Sequence, residues 1–138
     1  MTGSFTNYLE EKLLKDLFGI LAFSPPSTFY IGVCTGGVAE DGTITGEPSG
    51  NGYARVSVGN GDSNWDYSQV AGVTKIENHS AIAFAEATGS WGTITDVFIA
   101  DASSGGNVLA FATLASSKAI GSGDTLQFDA GDLEFTLD

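Results

Sequence analysis

Alternation of apolar and polar residues predicts several short strands along this chain of 138 residues. The clearest strand is the last, where Leu133, Phe135 and Leu137 face one way and the acidic or hydroxyl side chains between them face the other. The run at 28–35 is rich in β-branched and aromatic residues, and residues 53–58 alternate. Further strands are expected at 108–114 and 125–128. Turns containing Gly or Asp separate the runs, so the pattern predicts about seven or eight short strands.

The middle of the chain, residues 79–101, holds two further strand-like runs at 80–86 and 93–100. The second run is apolar at nearly every position, which is typical of a strand that is covered on both faces. Trp91 lies between the runs among small residues. This pattern predicts a hairpin at the centre of the β-structure.

An amphipathic helix is predicted ahead of the strands, within residues 4–19, with Ser4 as its N-cap and Gly19 at its end. Leu9, Leu13 and Leu17 recur every four residues and form one apolar stripe. The stripe has two interpretations that the sequence leaves open. It packs across the β-domain of its own chain, or it docks on a neighbouring subunit or another protein, which makes these three leucines interface candidates.

These elements predict a single, mainly β domain over residues 1–138, with the helix at 4–19 and the strands at 28–138. We expect an antiparallel β-sandwich of jelly-roll or Greek-key type. Gly is frequent, at 19 residues, and Pro is rare, at three, which fits tight turns between short strands.

The charge of the chain is strongly negative, with 17 acidic residues, five basic residues and a net charge of −12. Such a surface repels phosphate groups, so we expect no direct contact with nucleic acid or anionic membranes. No apolar run approaches the roughly 18 residues that a membrane span requires, so we expect no membrane insertion. The first residues also lack the pattern of a secretory signal, which predicts a protein that acts where it is made or leaves the cell in a larger assembly.

Catalytic chemistry has little support in the residues. His79 is the only histidine, so a histidine-based metal site or a catalytic triad is not expected. Glu86, Asp96 and Asp101 resemble the carboxylates of a glycosidase, but 17 acidic residues produce close pairs by chance. We therefore predict a protein that is not an enzyme and has no catalytic residue.

No cofactor is expected, although a structural Ca²⁺ is an alternative for the acid-rich loops at 40–41, 62–66 and 124–138. None of these loops has the spacing of an EF-hand, and solvated loop acids are the simpler interpretation. Cys34 is the only cysteine and is expected to be a buried thiol.

Three other residues are candidates for contacts. Arg55 is the only arginine, and we expect it to pair with a carboxylate and to contribute to an interface or to register. Trp65 and Tyr67 alternate in a polar loop, where they form either a stacking platform for a sugar or an anchor within the fold or a subunit interface.

Three segments carry a resemblance to a known family: EPSGNGYARVSV at 47–58, FAEATGSWGTITDVFIADASSGGNVLAFATL at 84–114 and SGDTLQFDAGDLEFTLD at 122–138. The chain resembles a family of small virion proteins of tailed bacteriophages, described as tail fibre or minor structural proteins. The likeness covers nearly the whole chain, and GYARV, ATGSWGT and GDTLQF are its most specific parts.

The resemblance implies a structural protein of the virion, made in the cytoplasm of the bacterial host. It would serve as a tail-fibre or adhesion component, or as a decoration or fibre protein of the head. Its partners would be other virion proteins and copies of itself, with a trimer favoured by analogy to other phage proteins of this size. The alternative function is a carbohydrate-binding module that recognises a glycan on the host surface.

Overall fold

The structure is a computed structural model that describes residues 1–137. Over these residues it contains one helix, α1 (Asn7–Leu17). Its strands are β1 (Thr2–Phe5), β2 (Thr28–Cys34), β3 (Val56–Gly59), β4 (Trp65–Val70), β5 (Val73–Asn78), β6 (Ile82–Ala83), β7 (Gly92–Ala100), β8 (Val108–Ile120), β9 (Gln127–Phe128) and β10 (Glu134–Leu137).

Eight of the strands form one sheet in the order β3-β2-β7-β8-β1-β10-β5-β4, and β6 pairs with β9 in a separate ribbon. The β1–β10 pair is parallel, whereas the other pairs of the sheet are antiparallel. The sheet curls into a half-barrel. Its two edge strands, β3 and β4, approach each other. A hydrogen bond joins them, from the indole N–H of Trp65 on β4 to the Gly59 carbonyl on β3, at 3.0 Å. The mainly β prediction with one N-terminal helix is confirmed, but the sandwich is not.

The main core lies on the concave face of the half-barrel. Ile31, Val97 and Ile99 project from the central strands, and Leu133 and Phe135 project from the end of the chain. The ribbon of β6 and β9 closes the same core with Ile82, Phe84 and Phe128.

A second, smaller core lies on the opposite face of β7. Phe98 and Ala100 alternate with the residues of the main core, so their side chains lie on the other face of the sheet. There they pack with Cys34 and Val108. Val38 and Ile44 cover them from the loop between β2 and β3, where they form an isolated bridge. The apolar run at 93–100 is therefore covered on both faces, as predicted.

The beginning of the chain differs from the prediction. Ser4 is not the N-cap, because it belongs to β1, and β1 lies inside the sheet between β8 and β10. Thr6 is the N-cap and accepts a hydrogen bond from the Leu9 N–H. The predicted end is confirmed, because Gly19 adopts a left-handed φ of 72° just after the helix.

The predicted central hairpin at 79–101 is wrong. Ile82 and Ala83 pair with β9, whereas β7 pairs with β2 and β8. The connection between β6 and β7 crosses the core instead of forming a tight turn, and it buries Ala87 and Trp91 there.

Candidate functional site

Six apolar side chains at the end of α1 and just beyond it are exposed, and we call this set the α1 apolar surface. Their exposed fractions range from 40% to 75%. The residues are Leu13, Leu14, Leu17, Phe18, Ile20 and Leu21. Clusters of exposed apolar side chains are typical of surfaces that contact another molecule.

The start of α1 is fixed to the sheet, whereas its end projects away. The Thr6 hydroxyl donates to the Val108 carbonyl at 2.6 Å, and Tyr8 and Leu9 pack against the main core. No residue of α1 is buried. After the helix, the Ile20 N–H donates to the Lys15 carbonyl at 2.8 Å and folds the chain back over the helix end.

The residues from 17 to 27 contain no charged side chain. A stretch without charge in so acidic a chain is the sequence signal that extends the exposed apolar region beyond the predicted stripe to Ile20 and Leu21. Of the leucines that the sequence singled out, Leu9 is partly buried against its own core, whereas Leu13 and Leu17 are exposed at 40% and 75%. Of the two interpretations of the stripe, packing against the β-domain of the same chain therefore explains only the first turn of α1.

A cavity of about 430 Å³ opens in the concave face of the half-barrel. Its walls are apolar and come from both halves of the sheet, with Leu9 of α1 at one side. The principal wall residues are Phe5, Phe29, Trp65, Tyr67, Ile76 and Phe135. Asn60 and Asp62 also line it, from the connection between β3 and β4.

The two aromatic residues that the sequence placed in a polar loop lie instead on strand β4, where pairing with β5 orders them. Both line this cavity, but their environments differ. Trp65 is only 8% exposed and packs edge-on against Phe29, with ring centroids 5.9 Å apart. Tyr67 is 66% exposed. Trp65 is therefore part of the folded core and Tyr67 alone offers an open aromatic surface. The sequence did not indicate Phe29, Ile76 or Phe135 as cavity residues, because the curling of the sheet brings them together.

Arg55 lies just before β3, and its contacts are within the chain. Its guanidinium donates to both carboxylate oxygens of Glu47, at 2.7 and 2.9 Å, and to the carbonyls of Ala102 and Gly105 at 2.7 and 2.9 Å. It also lies over the ring of Phe98, 5.0 Å from the centroid. The hydrogen bonds to Glu47 raise the pKa of Arg55. The predicted carboxylate partner is present, and these bonds connect three segments of the chain.

Two of the three carboxylates that resembled those of a glycosidase, Asp96 and Asp101, are engaged with different partners. Asp96 is 8% exposed and accepts hydrogen bonds from the hydroxyls of Thr95 and Thr113, at 2.7 and 2.8 Å. Asp101 holds Asn107 through the backbone N–H and the side-chain amide, at 2.7 and 2.9 Å.

Within residues 1–137, the carboxylates, histidine and cysteine do not gather in groups of three that could hold a metal ion. The single helix of this described range is too short to cross a membrane.

Comparison with known families gives one match that covers almost the whole chain. The model of a family described as podophage GP4 fiber I protein gp80 matches residues 4–136. No curated protein matches the sequence.

Proposed function

Because the chain belongs to the family of the podophage GP4 fiber I protein gp80, we propose that it is a non-enzymatic fibre subunit that acts through contacts with virion proteins and with copies of itself. The α1 apolar surface carries this proposal. Its six exposed apolar side chains require a covering partner, and a fibre subunit meets such partners on the particle. Tail-fibre and head-fibre positions are both compatible with this role.

The rest of the molecule supports a building block. The loops hold themselves in shape because their own acids accept hydrogen bonds from the loop backbone. The Gly121 N–H donates to the Asp124 carboxylate at 2.8 Å, and the Thr43 N–H donates to the Asp41 carboxylate at 2.9 Å. We infer that these loops form a rigid acidic exterior while α1 makes the attachment.

Immunogold electron microscopy of purified particles tests the role and the position together. An antibody against this chain should label a fibre on the tail or on the head. A chain that is abundant in the lysate but absent from purified particles would overturn the proposal.

Recognition of a carbohydrate is a second candidate, favoured by the position of Tyr67. It lies exposed at a cavity that also contains Trp65 and the polar groups of Asn60 and Asp62. Binding on a glycan array that is lost in Tyr67→Ala, with an unchanged circular dichroism spectrum, would support this function. Tyr67 is the appropriate position because Trp65→Ala would also remove a core side chain.

A further inference from the structure

Two asparagines of this chain, Asn51 and Asn60, are each followed by glycine. An asparagine before glycine is chemically labile, because glycine has no Cβ and its backbone nitrogen easily reaches the asparagine side chain. We propose that Asn60 is a site of spontaneous deamidation, whereas the contacts of Asn51 protect it. This inference does not depend on the proposed function and adds a covalent modification site in the connection between β3 and β4.

The reaction consumes only water. The backbone nitrogen of Gly61 attacks Cγ of Asn60, and the side-chain amide leaves as ammonia with the proton that Gly61 gives up. The product is a five-membered succinimide ring. Hydrolysis of its C–N bond at Cγ gives aspartate, and hydrolysis at the main-chain carbonyl gives isoaspartate. No group is oxidised or reduced, so the step requires no cofactor.

Asn60 and Gly61 have the freedom that ring closure requires. Both residues are exposed, and a Cβ built at Gly61 would meet no atom within 4 Å. Among residues 1–137 the Gly61 N–H donates no hydrogen bond, so the attacking nitrogen is free. One bond holds the side chain of Asn60, from its amide to the Pro26 carbonyl at 2.6 Å. Loss of this single bond lets the carboxamide turn towards Gly61.

Asn51 is held more firmly, although its sequence context is the same. Its amide donates to the Ser90 carbonyl at 3.0 Å, and its main-chain carbonyl accepts from the Trp91 indole at 2.9 Å. Its carboxamide also packs against Gly89, where an added Cβ would lie 2.6 Å from Oδ1. Cγ of Asn51 can approach the nitrogen of Gly52 only if the Gly89 contact and the Ser90 bond are both lost. The structure therefore distinguishes two identical dipeptides.

Deamidation of Asn60 changes the end of the linker between α1 and β2, residues 18–27. The amide and the backbone N–H of Asn60 bond to the carbonyls of Pro26 and Ser27, at 2.6 and 3.0 Å. A carboxylate at position 60 cannot donate to the Pro26 carbonyl and repels its oxygen. Isoaspartate in addition lengthens the backbone by one carbon. The modification therefore loosens the linker that follows the α1 apolar surface.

Peptide mass spectrometry of the protein, sampled during incubation at mildly alkaline pH, tests the site. Conversion of the amide to a carboxylate raises the peptide mass, and an isoaspartate methyltransferase assay detects the rearranged product. Asn51 is the matched control within the same sample. We expect Asn60 to react about tenfold faster than Asn51 in the folded protein, because Asn51 has more contacts to lose, and both to react at similar rates in urea. Equal rates in the folded protein, or a faster reaction at Asn51, would overturn the inference.

The effect on the linker is tested with Asn60→Asp, which carries the product of the reaction from the start. Amide hydrogen exchange within residues 18–27 should be faster in this variant than in the parent. Ser63→Asp adds the same charge at an exposed position of the same connection and should leave the exchange unchanged, because Ser63 does not bond to Pro26. Equal exchange in the parent and Asn60→Asp would show that the Asn60 amide does not hold the linker.

Discussion

A few polar side chains hold together segments that are distant in the sequence. Arg55 joins Glu47 to the carbonyls of Ala102 and Gly105, and its side chain is only 2% exposed. Asn78 donates to the carbonyls of Ser80 and Asp129 and accepts from the Leu133 N–H. In each case one side chain satisfies several backbone groups, so its loss leaves buried polar groups without partners.

Arg55→Lys should destabilise the protein by about 2 to 4 kcal/mol, because an ammonium group cannot reproduce the paired bonds to Glu47 and the two carbonyl contacts together. Urea denaturation measures this change. Lys15→Arg, at an exposed pair with Glu11, is the control and should change stability by less than about 0.5 kcal/mol. If the variant kept its stability but no longer associated with itself, Arg55 would instead contribute to an interface, as its sequence suggested.

Cys34 should make stability depend on pH in the alkaline range. Burial raises the pKa of its thiol from 9.0 to about 11. Above pH 9 the unfolded chain loses the thiol proton while the folded chain keeps it, so stability falls as pH rises from 9 to 11, by about 2 kcal/mol in total. The difference in unfolding free energy between the protein and Cys34→Ala should shrink over this range. A difference that stays constant with pH would contradict the burial of the thiol.

At the scale of secondary-structure elements, the sequence predicts the features that depend on the local pattern of apolar and polar residues. The helical period of α1, its end at Gly19 and the buried positions of Leu133 and Phe135 all depend on neighbouring residues, and the structure confirms them. Leu137, the third residue of the predicted apolar face, is 59% exposed. Strand partners depend on distant residues. The residues at 82 and 83 therefore carried no signal for pairing with β9.

The beginning of the chain is a second element that local patterns could not place. β1 is four residues long and lies between β8 and β10, where Gly3 faces Phe135. A side chain at Gly3 would lie 2.4 Å from the Phe135 ring. Removal of residues 1–19 would consequently remove a strand from within the sheet together with α1. Single substitutions on the exposed end of α1 test its role more clearly than truncation does.

Thr6→Ala should destabilise the junction of β1 and α1 by about 1 to 2 kcal/mol, because it removes the helix N-cap and the bond to the Val108 carbonyl. Thr6→Ser keeps the hydroxyl and should recover most of the loss. Thermal denaturation gives the total change, and amide hydrogen exchange within α1 locates it. Equal stability of the alanine variant and the parent would show that the cap does not anchor the helix.

At the scale of the whole molecule, the half-barrel buries its core, whereas the six side chains of the α1 apolar surface stay exposed. The membership in a phage fibre family agrees with a subunit that associates with other virion components. The sequence alone does not predict the cavity or this surface. The cavity forms because the sheet curls, and the surface is exposed because the end of α1 projects from the sheet. The sequence indicated the leucines of the stripe but left their partner open.

The most direct test of this account is the number of copies of the chain per purified particle when the α1 apolar surface carries charges. We expect the double variant Leu17→Glu, Phe18→Glu to fold, since both positions are about three-quarters exposed, but to be lost from particles at least tenfold relative to the parent. Val70→Glu, equally exposed on the β4–β5 hairpin, should be incorporated normally. A normal copy number for the double variant would contradict the claim that α1 attaches this protein to the virion.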